Sequence, residues 1–230
     1  MALAHSPKIV TSGLVMCLDA ANPRSYTGSG TTWTDLSGFN RNGTLTNGPT
    51  YDGNNKGYFV LDGTNDYIST VTATTLGINS TSTSFTLNTW FKTSGTGEYY
   101  LFDNYNGSTD ISLRIDSGKF EVYMADSNGT VFNSIQFGSN YNNNVWNNFC
   151  LTWDGSNTIT AYANGVSLGT STQAGITGSF DSGAAFLIGS RPTGTSWFPG
   201  NISIMMVYNR NLTASEVLQN YNAIRSRFGL

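Results

Sequence analysis

Charge is what this chain has least of. Only 11% of its 230 residues are Asp, Glu, Lys or Arg, against roughly a quarter in ordinary soluble domains. The 11 basic and 14 acidic residues leave a net charge of −3 and form no basic cluster. Nucleic acid as a partner is therefore excluded, because phosphates must be met by many cations. No apolar run is long enough to cross a bilayer, which excludes a membrane-spanning segment. The single histidine, His5, stands in an expected N-terminal arm, so a Ser-His-Asp arrangement has no convincing base. One histidine and two cysteines supply no zinc set. Cys17 and Cys150 both fall inside expected strands and read as buried free thiols, with a disulfide left open because sequence carries no distance. The start, "MALAHSPKIVTSG", lacks a long apolar h-region, so no secretory signal peptide is expected. The Asn-x-Ser/Thr triplets at Asn42, Asn79, Asn106, Asn128, Asn201 and Asn211 are then expected to carry no glycan.

Gly, Asn, Ser and Thr supply the polarity instead, and aromatics make up 13% of the chain. These are the residues of turns and sheet faces. In "LTWDGSNTITAYANGVSLG", Asp154-Gly155 and Asn164-Gly165 close turns between runs that alternate with a period of two. Asn-Gly in such a place predicts a two-residue type I′ hairpin with positive φ at both residues. Twelve strands are expected, at 14–19, 58–61, 67–69, 85–92, 99–103, 111–115, 119–124, 131–137, 148–153, 158–163, 186–188 and 202–208. Trp33, Trp90, Trp146 and Trp153 read as core. One helix closes the chain in "NLTASEVLQNYNAIRSRFGL". Thr213 and Glu216 form a capping box, Val217, Leu218, Tyr221 and Ile224 share a face, and Gly229 is the stop. The expected fold is all-β, an antiparallel β-sandwich with one short C-terminal helix. Residues 1–12 form an N-terminal arm and 13–230 one domain.

Several stretches together resemble the laminin-G-like, concanavalin A-like jelly-roll family. "YFVLDGTNDYIS" is similar to its strand-turn-strand with F-x-x-D-G, and "SFTLNTWFKT" to its F-T-x-x-x-W-x-K core strand. "VWNNFCLTWDGSNTITAYANGVSLGT" resembles its T-x-D-G hairpin ending in Y-x-N-G. "FLIGSRP" and "GNISIMMVYNRNLTASEV" look like its closing strand and helix entry. The opening, "GLVMCLDAANPRSYTGSGTTWTDLSGFNRNGTLTNGPTY", looks like jelly-roll structural proteins of tailed phages, notably those of marine hosts. The resemblance implies a virion protein made in the host cytoplasm, with other virion proteins as partners and a homo-oligomeric assembly. One departure is that Ser203 and Ile204 stand where the family often carries an acidic pair.

Glycoside hydrolases on this fold flank the scissile bond with two carboxylates. The only glutamates are Glu98, Glu121 and Glu216, Glu216 belongs to the capping box, and no E-x-D-x-x-E strand exists. A non-enzymatic display module ranks first, with host-surface carbohydrate as its ligand. An assembly subunit with protein contacts only ranks second and a glycan-active enzyme third. Carbohydrate binding wants aromatic faces and polar groups on a loop rim. Trp197, Arg191 and Tyr105 are the expected ligand contacts. No cofactor is required; Asp62 and Asp66 form the paired-carboxylate turn for a calcium ion, were one bound.

Overall fold

A computed structural model describes residues 7–194 and 196–230. His5 and the first six residues of the expected arm lie outside the described residues. Alternation decides the architecture. In Asp110–Asp116 the apolar Ile111, Leu113 and Ile115 are fully buried on one face, while Asp110, Ser112 and Arg114 take the other. Period-two patterning of this kind places one face of a strand against a second sheet.

Sixteen strands are seen among the described residues. They are β1 (Leu14–Asp19), β2 (Thr32–Trp33), β3 (Gly43–Thr46), β4 (Thr50–Asp52), β5 (Tyr58–Asp62), β6 (Tyr67–Thr72), β7 (Phe85–Thr93) and β8 (Glu98–Asp103). β9 (Asp110–Asp116), β10 (Lys119–Ala125), β11 (Val131–Phe137), β12 (Asn147–Trp153), β13 (Thr158–Ala163), β14 (Val166–Thr172), β15 (Ala185–Ile188) and β16 (Pro199–Tyr208) follow. A four-residue helix, α1 (Ala73–Leu76), the C-terminal helix, α2 (Ala214–Ile224), and two 3-10 turns, at Asn54–Lys56 and Arg225–Phe228, accompany the strands. All strand pairs are antiparallel. One sheet runs β14-β13-β12-β7-β16-β5-β4 with β1 also on β16, and the other β11-β10-β9-β8-β15-β6-β3-β2. The expected sandwich is the observed one. No described helix is long and apolar enough to cross a membrane.

Each expected strand is present, most of them a residue or so longer. β2, β3, β4, β14 and α1 lie outside the expected elements; β14 is the second arm of the Asn164-Gly165 hairpin, with no expected bounds of its own, and the others, at two to four residues, carry too little periodicity to register. Two apolar cores form. The larger lies between the sheets and holds Trp33, Phe59, Phe91, Phe120, Phe149 and Trp153. The second lies between the outer face of the first sheet and α2, around Trp90, Trp146, Met206, Tyr208 and Val217. All four expected core tryptophans are buried, two in each core.

The helix starts as expected, with Thr213 and Glu216 in a reciprocal capping box. Arg210 pairs with Glu216 at 2.6 Å and holds its carboxyl down at about 2. Its buried face differs from expectation. Leu218 is 44% exposed, while Asn220 is buried. Asn220 earns that place by bonding: its Oδ1 accepts the Val10 backbone N–H at 2.8 Å and its Nδ2 donates to Tyr208 Oη at 3.0 Å. Val10 is itself buried, so the stretch just before β1 is bound to the helix. Cys17 and Cys150 are free thiols, and burial pushes both up to about 12.

Asn164 and Gly165 have φ of 50° and 78°, and Ala163 pairs with Val166 across them, so the type I′ hairpin forms. A Cβ on Gly165 would come within 3.0 Å of Leu218 Cδ1 and Tyr221 Cδ1. Gly165→Ala is therefore expected to cost roughly 1–2 kcal/mol, from the left-handed φ and crowding together. Urea denaturation measures it, and an unchanged midpoint would refute the assignment.

Candidate functional site

The loop that leaves β15 and enters β16 changes sheet, and it carries two of the three expected ligand contacts. Gly189 starts it at φ 85°, in a spot where a Cβ would sit 2.0 Å from Leu61 Cδ2, so only glycine fits. The Phe198 N–H donates to Gly189 O at 2.9 Å and closes the base of the loop. Between these points Arg191 reaches back over β8, because β15 pairs with β8 through Leu187 and Asp103.

Arg191 meets Tyr105. Its guanidinium carbon lies 3.7 Å from the Tyr105 ring centroid, a close cation–π stack, and both residues are half-buried. Tyr105 is fixed in turn by its own N–H, which donates to Asp103 Oδ1 at 2.6 Å. Arg191 Nη1 also donates to Tyr100 Oη at 3.0 Å. That hydroxyl accepts from Arg114 Nη1 at 3.1 Å and donates to Glu98 Oε1 at 2.7 Å. Burial first, then Glu98, pushes the Tyr100 phenol well above its ordinary value. Trp197 sits at the far end of the same loop, half-buried and tilted 31° against the Tyr67 ring at 5.9 Å. Arg191 and Tyr105 are thus brought together, and Trp197 forms a separate aromatic face with Tyr67.

The outer face of β8, β9 and β10 beside this loop is paved with paired charges. Arg114 bonds Glu121 at 2.5 Å and faces Glu98 at 3.5 Å. Asp103 and Asp110 lie fully buried under Arg191. Sequence reading missed this layer, although a signal existed. Seven of the 25 charged residues fall in the 24 positions from Glu98 to Glu121, at alternating places along β9 and β10. In a chain so poor in charge, that clustering marks one face.

Asp62 and Asp66 sit as near neighbours in the β5–β6 turn. Asp62 Oδ1 accepts the N–H groups of Thr64 and Asn65, at 2.8 and 3.3 Å, and these bonds hold its carboxyl low. Asp66 is buried and accepts the Asp62 N–H at 3.2 Å. Burial raises its carboxyl. Among the described residues no group of three or more His, Cys, Asp or Glu is placed to hold a metal ion. A cavity of about 370 Å³ lies on the other sheet, between α2 and the strand pair β1–β16. It is lined by Ile9, Cys17, Ile204, Met206 and Ile224, and its one arginine, Arg227, is already paired with Asp19 at 2.7 Å.

Residues 62–218 match a laminin-G-type family model, described as the concanavalin A-like lectin/glucanases superfamily. The chain belongs to that superfamily. No curated protein matches it in sequence. Among solved structures, the binding domain of Paraclostridial Mosquitocidal Protein 1 is similar, with a TM-score of 0.71 and 19% identity over 92% of this chain and 52% of that one. A botulinum neurotoxin type C structure, whose description concerns cell entry through two ganglioside molecules, has a TM-score of 0.75 at 16% identity, covering 94% and 52%. The binding domain of botulinum neurotoxin DC, in complex with rat synaptotagmin II, has a TM-score of 0.72 at 15% identity, covering 94% and 52%. At these identities the likeness is one of fold. The chain spans about half the length of the structures it resembles. Superfamily membership accounts for the two sheets and leaves function to the loops.

Proposed function

We propose that this chain is a non-enzymatic carbohydrate-binding module. Its ligand lies across the β15–β16 loop, with Arg191 and Tyr105 at one end and Trp197 at the other. The observation that carries the reading is the Arg191–Tyr105 stack, a half-buried aromatic ring with a guanidinium fixed over one of its faces at the loop rim. Sugar rings present C–H faces to aromatics and hydroxyls to such donors. The three glutamates lend little to hydrolysis, since Glu121 and Glu98 face Arg114 and Glu216 is held by Arg210. A binding role also fits the solved structures of similar fold, which are binding domains.

A glycan array followed by calorimetry tests this. Trp197→Ala and Tyr105→Ala are each expected to weaken binding by about tenfold or more, the loss of one stacking face. Binding unchanged in both variants would sink the proposal. Asp62 and Asp66, already engaged by backbone donors, take no part in it, so chelation is expected to leave affinity unchanged. The finer reading places the module in a virion, as a homo-oligomeric display subunit that meets host-surface glycans. It rests on the resemblance of residues 13–51 to phage structural proteins. Mass spectrometry of purified particles decides it, and absence from the particle refutes it.

A further inference from the structure

Two carboxyl groups stand side by side beneath Arg191. Asp103 ends β8 and Asp110 opens β9, and neither exposes more than 1% of its surface. The Ser112 hydroxyl reaches both, at 2.7 Å to Asp103 Oδ2 and 3.4 Å to Asp110 Oδ2. Arg191 is the cation facing them, with Nε 3.9 Å from Asp103 Oδ2 and Nη2 3.7 Å from Asp110 Oδ2. The other charged and titratable groups around the pair are matched elsewhere. Arg114 of β9 serves Glu121 of β10 and Glu98 of β8, Tyr100 donates to Glu98, and Tyr105 covers Arg191. With both aspartates ionised, two buried negative charges would share one guanidinium. A buried carboxylate in that position takes up a proton rather than remain unmatched.

We propose that Asp103 and Asp110 hold a single proton between them, carried by Asp110, and that the resulting neutral unit with Arg191 is what positions the guanidinium on Tyr105. The hydrogen bonds set which aspartate carries it. Both Asp103 oxygens accept bonds, Oδ1 from the Tyr105 N–H and Oδ2 from Ser112. Asp110 Oδ1 has no partner. Asp103 is thus equipped to stay ionised, and Asp110 to hold the proton and share it with Asp103 in a hydrogen bond. Burial, then the Asp103 charge, pushes the Asp110 carboxyl far above the carboxylate range, and burial raises Asp103 as well. Both are positioning residues, since neither reaches solvent and each acts through Arg191. One consequence rests on the carbohydrate reading: with Arg191 answered by Asp103, the rim carries no net positive charge. It suits an uncharged saccharide better than a sialylated or sulfated one.

Carbon-13 titration of the aspartate carboxyls in the full chain reads the pair without any ligand. Asp110 is expected to remain protonated through neutral pH and to ionise in the alkaline range, with the Tyr105 ring signals moving in the same step. In Asp103→Asn, Asp110 faces Arg191 alone and should ionise at a lower pH than in the natural chain, with burial still holding it above an exposed carboxyl. Asp110→Asn should fold and lack the alkaline step. Two acidic titrations in the natural chain, or an alkaline step that survives Asp110→Asn, overturn the proposal. The natural chain and Asp110→Asn decide the matter even where Asp103→Asn fails to fold. Affinity for a neutral saccharide should fall by roughly threefold or more through the alkaline step, and only when Asp110 is present. Failure to bind any saccharide sinks the carbohydrate reading alone, and the carboxyl titration still judges the proton.

Discussion

Asp126→Ala is expected to lower stability by about 4 kcal/mol, among the largest effects of any single substitution outside the apolar cores. The carboxylate is fully buried where β10 turns into β11. Its Oδ1 accepts the N–H groups of Asn128 and Thr130 at 3.0 and 2.8 Å. Its Oδ2 accepts those of Thr177 and Gly178 at 2.9 and 2.8 Å. The second pair belongs to the segment that carries the chain from β14 in one sheet to β15 in the other. Hydrogen bonds to a charged acceptor contribute about 1.5–3 kcal/mol each, and orphaned buried donors add their own desolvation cost. Full additivity is not expected of four bonds to one group. Asn, which keeps one accepting oxygen, should recover only part of the loss. Burial pushes the Asp126 carboxyl up, but the four N–H groups outweigh it and hold it below its ordinary value. A lowered carboxylate stabilises the fold above the ordinary carboxylate range, and that stability disappears as pH falls through the lowered value. The gap in thermal midpoint between the natural chain and Asp126→Ala should therefore shrink in acid. A gap that holds constant with pH would refute the charge argument.

Trp90→Ala should be of similar size, about 3–5 kcal/mol, and local in its consequences. Trp90 projects from the outer face of β7 and is fully buried. Its ring is stacked with Tyr221 at 5.6 Å and with Phe228 at 4.6 Å, and Phe228 stacks on Trp146 at 4.4 Å. These contacts fasten α2 and the turn after it to the sheet. Removing the central ring should speed hydrogen exchange in α2 well before it does so in β12 or β7. A thermal midpoint lower by roughly 10 °C follows from the usual scaling for a chain of this length. Uniform acceleration across both sheets would show that the ring supports the sandwich as a whole rather than docking the helix. Trp90 Nε1 has no hydrogen-bond partner, so Trp90→Phe should cost far less than alanine.

Local chemistry was legible and distant encounters were not. Asn164-Gly165 declares its own turn, and Thr213 with Glu216 declares a helix start, because each works within a few residues. The helix face was half legible. Periodicity named Val217 and Ile224 correctly but favoured Leu218 over Asn220, since the hydrogen-bond demands of Val10 and Tyr208 lie some 210 and 12 residues away. Arg191 and Tyr105 could each be picked as loop residues. Their stacking depends on β15 lying beside β8, which no spacing in the chain reveals. The Asp103–Asp110 pair was hidden for the same reason, as a carboxyl on a turn reads as turn chemistry until the strand beside it is known.

The place of β16 in its sheet bears on how the chain folds. One edge of β16 pairs with β7 along nearly its whole length; the other is divided between β5 and β1. A strand close to the end of the chain is therefore the one around which the first sheet closes. On a ribosome, β1, β5 and β7 would wait with open edges until residues 199–208 emerge, after which the sheet can form in one cooperative step. Contacts of such long sequence separation slow folding, toward the millisecond-to-second range of all-β domains. The waiting strands are meanwhile open to wrong pairing. Chains truncated before β16 should accordingly aggregate rather than fold partway.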